Sequence, residues 1–206
     1  MNASGRPIPT DSSDLARAEL RRSPFYEQIP EERRRWYIEE SLQIGTEEAE
    51  KQLSRGDGLG MLVRKENIEL IRKPSRSVGR GTALRSEIEF TSDHTRITIY
   101  EDSIDRIVRD CADFVPRELR LSRGKAFDMH LAHELFHHIE FSSGKTVSER
   151  LPKVEITQLG FIKRRLEVNE CCEIAAQAFA KRFCGLKVLP TYYDLAYVRA
   201  HSKAHQ

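Results

Sequence analysis

The sequence predicts an α+β fold in which a small, mostly antiparallel sheet packs on two long helices of the C-terminal half. Three observations lead there. Residues 67–72, 83–91 and 95–100 alternate in the strand period. Residues 124–141 and 162–184 read as helices, closed by Ser142, Ser143 and Gly144 in one case and by Gly185 in the other. Turn-forming residues separate the alternating segments, at 73–82 and at Ser92, Asp93 and His94.

The elements follow in order. Residues 1–11 are small and polar with two prolines, which predicts a disordered tail. Residues 12–60 read as an N-terminal helical segment, ahead of a larger unit over 61–206. A short helix is expected from Ser12, Ser13 or Asp14 to about Arg22. Pro30 followed by Glu31 and Glu32 marks the next start, with proline and acids where a helix N-terminus favours them. That helix should carry Trp36, Tyr37, Ile38 and Leu42 inward. Gly45 and Thr46 before Glu47 and Glu48 look like a restart capped by Thr46, and Gly56, Asp57 and Gly58 close the section. After the strands, a helix over about 103–114 stops before Pro116. Residues 145–160 read as a loop with a short irregular element. No repeat recurs along the chain.

Composition narrows the function classes. The chain has 206 residues, 39% hydrophobic and 32% charged, enough for a packed core under a solvated surface. A net charge of +2 gives no general reason to expect nucleic-acid or membrane binding. The triplet Arg33, Arg34 and Arg35 is flanked by Glu31, Glu32, Glu39 and Glu40, so it reads as a salt-bridged helix face. The N-terminal segment lacks the apolar core of a signal peptide, and no apolar run is long enough to span a membrane. Cys111, Cys171, Cys172 and Cys184 show neither paired spacing nor a framework, which fits free thiols in a reducing cytoplasm.

The chemistry concentrates in the 124–141 helix. His133, Glu134 and His137 form a His-Glu-x-x-His pattern. Side chains at i and i+4 stack on one helix face, so the two imidazoles can grip one zinc ion. Glu134 shares that face closely enough to take a proton from a metal-activated water and pass it to a leaving amine. Leu135 and Phe136 point into the core. His130, one turn earlier, can border the site but reads as an ordinary exposed histidine. His138 lies off the ligand face and reads as structural.

A zinc site of this kind needs a third protein ligand. Glu170 and Glu173 compete for the place. Glu173 is favoured because Ala176, Gln177 and Ala180 share its face and let its helix approach the motif helix. For the oxyanion, Tyr192, Tyr193 and Tyr100 are candidates, each more readily explained as a structural tyrosine.

The stretches Leu131 to His137 and Glu173 to Ala180 together resemble the ImmA/IrrE-type metallopeptidase family, over about residues 123–185. The resemblance implies a zincin-like fold, a minimal gluzincin, over 61–206. It implies zinc held by His133, His137 and Glu173, with Glu134 as general base. It further implies a protein substrate, such as a transcriptional repressor. The chain departs from the family's pattern at Phe136, where glycine is frequent, and at Gln177, where Asn or Asp is common. Its proline comes late, at Pro190. None of these is a ligand. No helix-turn-helix unit is evident, so direct nucleic-acid binding is not expected. The expected function is therefore a zinc-dependent endopeptidase. Its rivals are a catalytically silent zincin-like binding or regulatory module, and a metal-dependent hydrolase of non-peptide substrates.

Overall fold

The computed structural model describes residues 7–74, 77–78, 82–158 and 161–203. Of the tail expected to be disordered, residues 1–6 lie outside the described residues, as do parts of the 73–82 and 145–160 loops. Eight helices and three small sheets make an α+β fold among the described residues. No helix among them is long and apolar enough to cross a membrane.

Helix α1 spans Ser12–Leu20, and the Asp11 carboxylate caps it by accepting from the amides of Ser13 and Asp14. Helix α2 spans Glu31–Ser54 without a break. The restart expected at Gly45 does not occur, for a steric reason. Gly45 sits where α2 crosses helix α7 (Glu170–Phe183), and a Cβ there would lie 2.0 Å from the carbonyl oxygen of Ala175. Glycine is required by close approach, not by a turn. Thr46, expected as a cap, instead donates its hydroxyl to the Leu42 carbonyl at 2.7 Å. Tyr37 and Ile38 are buried, while Trp36 and Leu42 pack on the core from its margin. Past Gly58 the chain is helical again, as α3 (Leu59–Lys65).

Strands β1 (Ile68–Lys73), β4 (Ser86–Phe90) and β5 (Thr95–Tyr100) form the main sheet in the order β1-β5-β4. Strand β4 pairs antiparallel with β5, and β1 pairs parallel with it. The short β2 (Ser77–Val78) and β3 (Thr82–Ala83) pair antiparallel as a separate two-stranded sheet. Helix α4 (Glu101–Asp110) follows, and then α5 (Arg123–Ser142), the motif helix. Ser122 caps α5 by accepting from the Lys125 amide. One face of the sheet meets α5: Ile97 and Ile99 cluster with Ala126, Leu131 and Leu135.

The single long helix expected over 162–184 divides into a strand and a helix. Strand β6 (Val154–Gln158) and strand β7 (Ile162–Leu166) form an antiparallel hairpin, preceded by the short α6 (Val147–Arg150). Val154 and Ile156 alternate into the core, a period-2 signal in a stretch that had read as loop. Helix α7 begins only at Glu170, so Glu170 and Glu173 fall in its first turn, where the helix dipole favours carboxylates. A last helix, α8 (Thr191–Lys203), was not expected. One core cluster joins α1, α2, α5, α7 and α8 through Leu15, Tyr37, Phe136, Phe179 and Tyr193.

Candidate metal centre

The α5 face that carries His133 and His137 looks onto a cleft of about 590 Å³. Neighbouring faces of the same helix are buried, with Leu135 towards the sheet and Phe136 against Phe179 of α7, ring centroids 5.5 Å apart. This double anchoring fixes how far α7 stands from α5, and with it the reach of Glu173.

Three side chains converge. The Nε2 atoms of His133 and His137 lie 3.2 Å apart. The Glu173 carboxylate places Oε2 at 3.3 Å from the first and Oε1 at 3.5 Å from the second. Ligand atoms around a tetrahedral ion at about 2.0–2.1 Å stand about 3.3–3.4 Å from each other. Each nitrogen meets a different oxygen of the carboxylate at about this spacing, and one ligand atom from each of the three side chains lies within 4.8 Å of the others, the one such group of three among the described residues. Two nitrogens and one carboxylate oxygen suit zinc by donor type. Glu170 is not part of the group: its Oε2 is buried without a hydrogen-bond partner.

The electrostatics of the three side chains favour positive charge. Burial pushes the His133 imidazole down, but the hydrogen bond and charge of Glu173 outweigh it and raise it to about 9. Burial likewise raises the Glu173 carboxyl, and His133 beside it reverses this to about 2. A carboxylate beside two imidazoles thus favours positive charge at this point.

Two partners of the motif were not expected. Ser86, the first residue of β4, donates its hydroxyl to Glu134 Oε1 at 2.6 Å and orients a carboxylate that is otherwise buried. Nothing in the sequence signals Ser86, because the contact depends on how β4 lies against α5. Glu140 stands one turn beyond His137, with Oε2 at 3.4 Å from His137 Nδ1. Its Oε1 accepts from the Val147 amide at the start of α6. Burial opposes ionisation of Glu140, but the bonds from His137 and Val147 keep its carboxyl below the usual range. A carboxylate on Nδ1 fixes the imidazole so that Nε2 presents its lone pair. Here the sequence held a usable signal, an acid at i+3 from a ligand histidine.

Other expectations change. His130, read as an ordinary exposed histidine, lines the cleft, and its Nε2 is buried with no partner. Burial, and after it the charges of Arg85 and His133, hold its imidazole well below 6.5. None of the three tyrosines considered for the oxyanion lines the cleft. Tyr193 donates to the Leu119 carbonyl at 2.8 Å, Tyr100 donates to Glu87, and Tyr192 is buried in the core. Beyond His133 the cleft is lined by Arg85, paired with Asp194, and by Glu19 with Arg22. Gln177 accepts from the Thr191 amide at 2.8 Å and so ties α7 to the start of α8.

No family model matches the chain, and searches of curated proteins and of solved structures return no significant match.

Proposed function

We propose that this protein is a zinc-dependent endopeptidase with a zincin-like arrangement of sheet, motif helix and third-ligand helix. The observation that carries the reading is the convergence of His133, His137 and Glu173 at coordination spacing, with Glu134 beside them. Bound zinc would supply Lewis acidity, lowering the pKa of water and polarising the substrate carbonyl. The protein's own groups do the rest. Glu134, held by Ser86, takes a proton as water oxygen attacks the carbonyl carbon. It returns that proton to the nitrogen as the C–N bond breaks. One water is consumed, and a carboxylate and an amine leave. Glu140 keeps His137 in register throughout.

The shape of the cleft favours a peptide over a small molecule. Strand β4 is an edge of the main sheet and contributes Ser86, Ile88 and Phe90 to the cleft wall. An extended chain can add to such an edge through main-chain hydrogen bonds. The resemblance to ImmA/IrrE-type metallopeptidases makes a transcriptional repressor the substrate class to try first. Four free cysteines, with burial pushing Cys111, Cys171 and Cys184 up to about 12, fit inert thiols in a cytoplasmic setting.

The test joins metal analysis to one isosteric change. Purified protein should hold about one equivalent of zinc. Glu134→Gln should keep that zinc while peptide hydrolysis falls by about 10²–10⁴-fold. Undiminished hydrolysis in Glu134→Gln, or protein that takes up no zinc, refutes the proposal.

A further inference from the structure

The cleft is chemically lopsided. Its end towards the start of α5 is charged, with Arg85, Asp194, Glu19 and Arg22. Its other end adds two aromatic rings beside Glu140 and Thr146. Phe90, the last residue of β4, and Phe141, near the end of α5, stack with ring centroids 4.0 Å apart and planes 23° from parallel. They are 39% and 60% exposed, and both line the cleft. Single exposed apolar residues need no explanation, but two stacked aromatics from different elements at the rim of a polar cleft form a patch that water solvates poorly.

Register places this shelf relative to the reacting atoms. Ser86, Ile88 and Phe90 alternate onto the side of β4 that faces α5, and Ser86 touches Glu134 while Phe90 touches Phe141. From Glu134 to Phe141 the helix rises about 10 Å at about 1.5 Å per residue. An extended chain covers that distance in about three residues. A peptide added antiparallel to β4 runs from the Phe90 end towards the Ser86 end. Its residues before the cleaved bond therefore lie over the shelf.

We infer that Phe90 and Phe141 are specificity-determining residues, which receive a bulky apolar side chain two to three residues before the cleaved bond. The inference rests on the peptidase reading and deepens it. A large aromatic or aliphatic side chain would cover both rings. Its burial corresponds to about tenfold in selectivity over alanine.

The experiment profiles the zinc-loaded protein on a proteome-derived peptide mixture, with cleavage sites read by mass spectrometry. Zinc-dependent cleavage should show Phe, Tyr, Trp, Leu or Met enriched at the second or third residue before the bond. In the doubly substituted Phe90→Ser/Phe141→Ser protein that enrichment should collapse, while Phe141→Leu should retain it for aliphatic side chains. Both rings are surface groups, and a native circular dichroism spectrum for each variant confirms that the fold survives. A binding arm uses Glu134→Gln and two end-blocked peptides that differ only by Phe against Ala. The Phe peptide should bind about tenfold tighter, and the serine substitutions should erase the difference. Cleavage without an apolar preference, or with the preference after the bond, overturns the inference and leaves the peptidase reading standing. No cleavage by the parent protein, together with selective binding of the Phe peptide that depends on the shelf, overturns the peptidase reading alone.

Discussion

His137 and His138 are neighbours on one helix and do opposite things. His137 faces the cleft, where its Nε2 stands 3.2 Å from the Nε2 of His133 and 3.5 Å from a glutamate shared with it. His138 faces the sheet, where every contact satisfies it. Its Nδ1 lies 3.0 Å from the Thr95 hydroxyl, and its Nε2 lies 3.3 Å from Glu66 and 3.4 Å from Ser142. One residue of helical rotation, about 100°, separates the two faces. A histidine whose nitrogens each meet a complementary donor or acceptor is a structural element. Two imidazole nitrogens that converge with one carboxylate present ligand atoms that a single cation could share. The partners, and not the residue type, distinguish the two.

The sharpest way to break this contrast is to truncate each histidine in turn. His137→Ala should take the zinc content from about one equivalent to near zero, with His133→Ala behaving alike. His138→Ala should keep the metal and lower stability by about 1–3 kcal/mol, through the buried groups left unpaired. Elemental analysis and urea unfolding read the two outcomes. If His138→Ala strips the metal while His137→Ala spares it, the assignment of faces is reversed.

The third ligand offers the next largest effect. Glu173→Ala should weaken zinc binding far more than Glu170→Ala, measured by competition with a chelator. Glu173 lies at contact distance from both imidazoles, whereas Glu170 is one turn away with an unpartnered oxygen. The opposite order moves the ligand one turn towards the N-terminus.

A smaller loss is expected from Glu140→Gln. The amide still fills the space beside His137 and α6 but is uncharged, so zinc affinity should fall about 10–100-fold. A matching change at Glu66, the acid beside His138, should leave zinc affinity where it was. Equal losses from the two would mean that Glu140 serves the fold rather than the site.

The gentlest probe is pH. In the metal-free protein His133 is raised from 6.5 to about 9, so its stabilising contribution is full below 6.5 and fades as pH rises through about 9. Glu173 is lowered from 4.5 to about 2, so its contribution is present above 4.5 and is lost as pH falls through about 2. Zinc must displace the His133 proton. Its affinity should therefore decline as pH drops below about 9, and adding zinc near neutrality should release protons. Calorimetry in buffers of different ionisation enthalpy counts them. Zinc uptake without proton release at pH 7 would show that the His133 imidazole is already neutral.

Much of the local structure was legible in the sequence, because local signals belong to local structure. The period of 95–100 recurs as β5, and the His-Glu-x-x-His segment lies on a helix with Leu135 and Phe136 inward. The misreadings share a cause. Gly45 was taken for punctuation because glycine is rare inside a helix, yet it serves contact with Ala175, a residue 130 positions on. Residues 162–166 were absorbed into a helix because Lys163, Arg164 and Arg165 suit a helix as well as a strand. Their pairing with 154–158 settles the conformation.

By itself the sequence determined which residues could share a helix face: His133 with His137, and Glu173 with Ala176, Gln177 and Ala180. That much follows from a fixed number of residues per turn. Only the tertiary structure decided that these two faces meet, that Ser86 holds Glu134, that Glu140 accepts from the Val147 amide of α6, and that Phe90 finds Phe141. Those contacts join different elements. Their distances depend on how α2, α5, α7 and the sheet pack, a choice made by the sum of many buried side chains and written in no single motif.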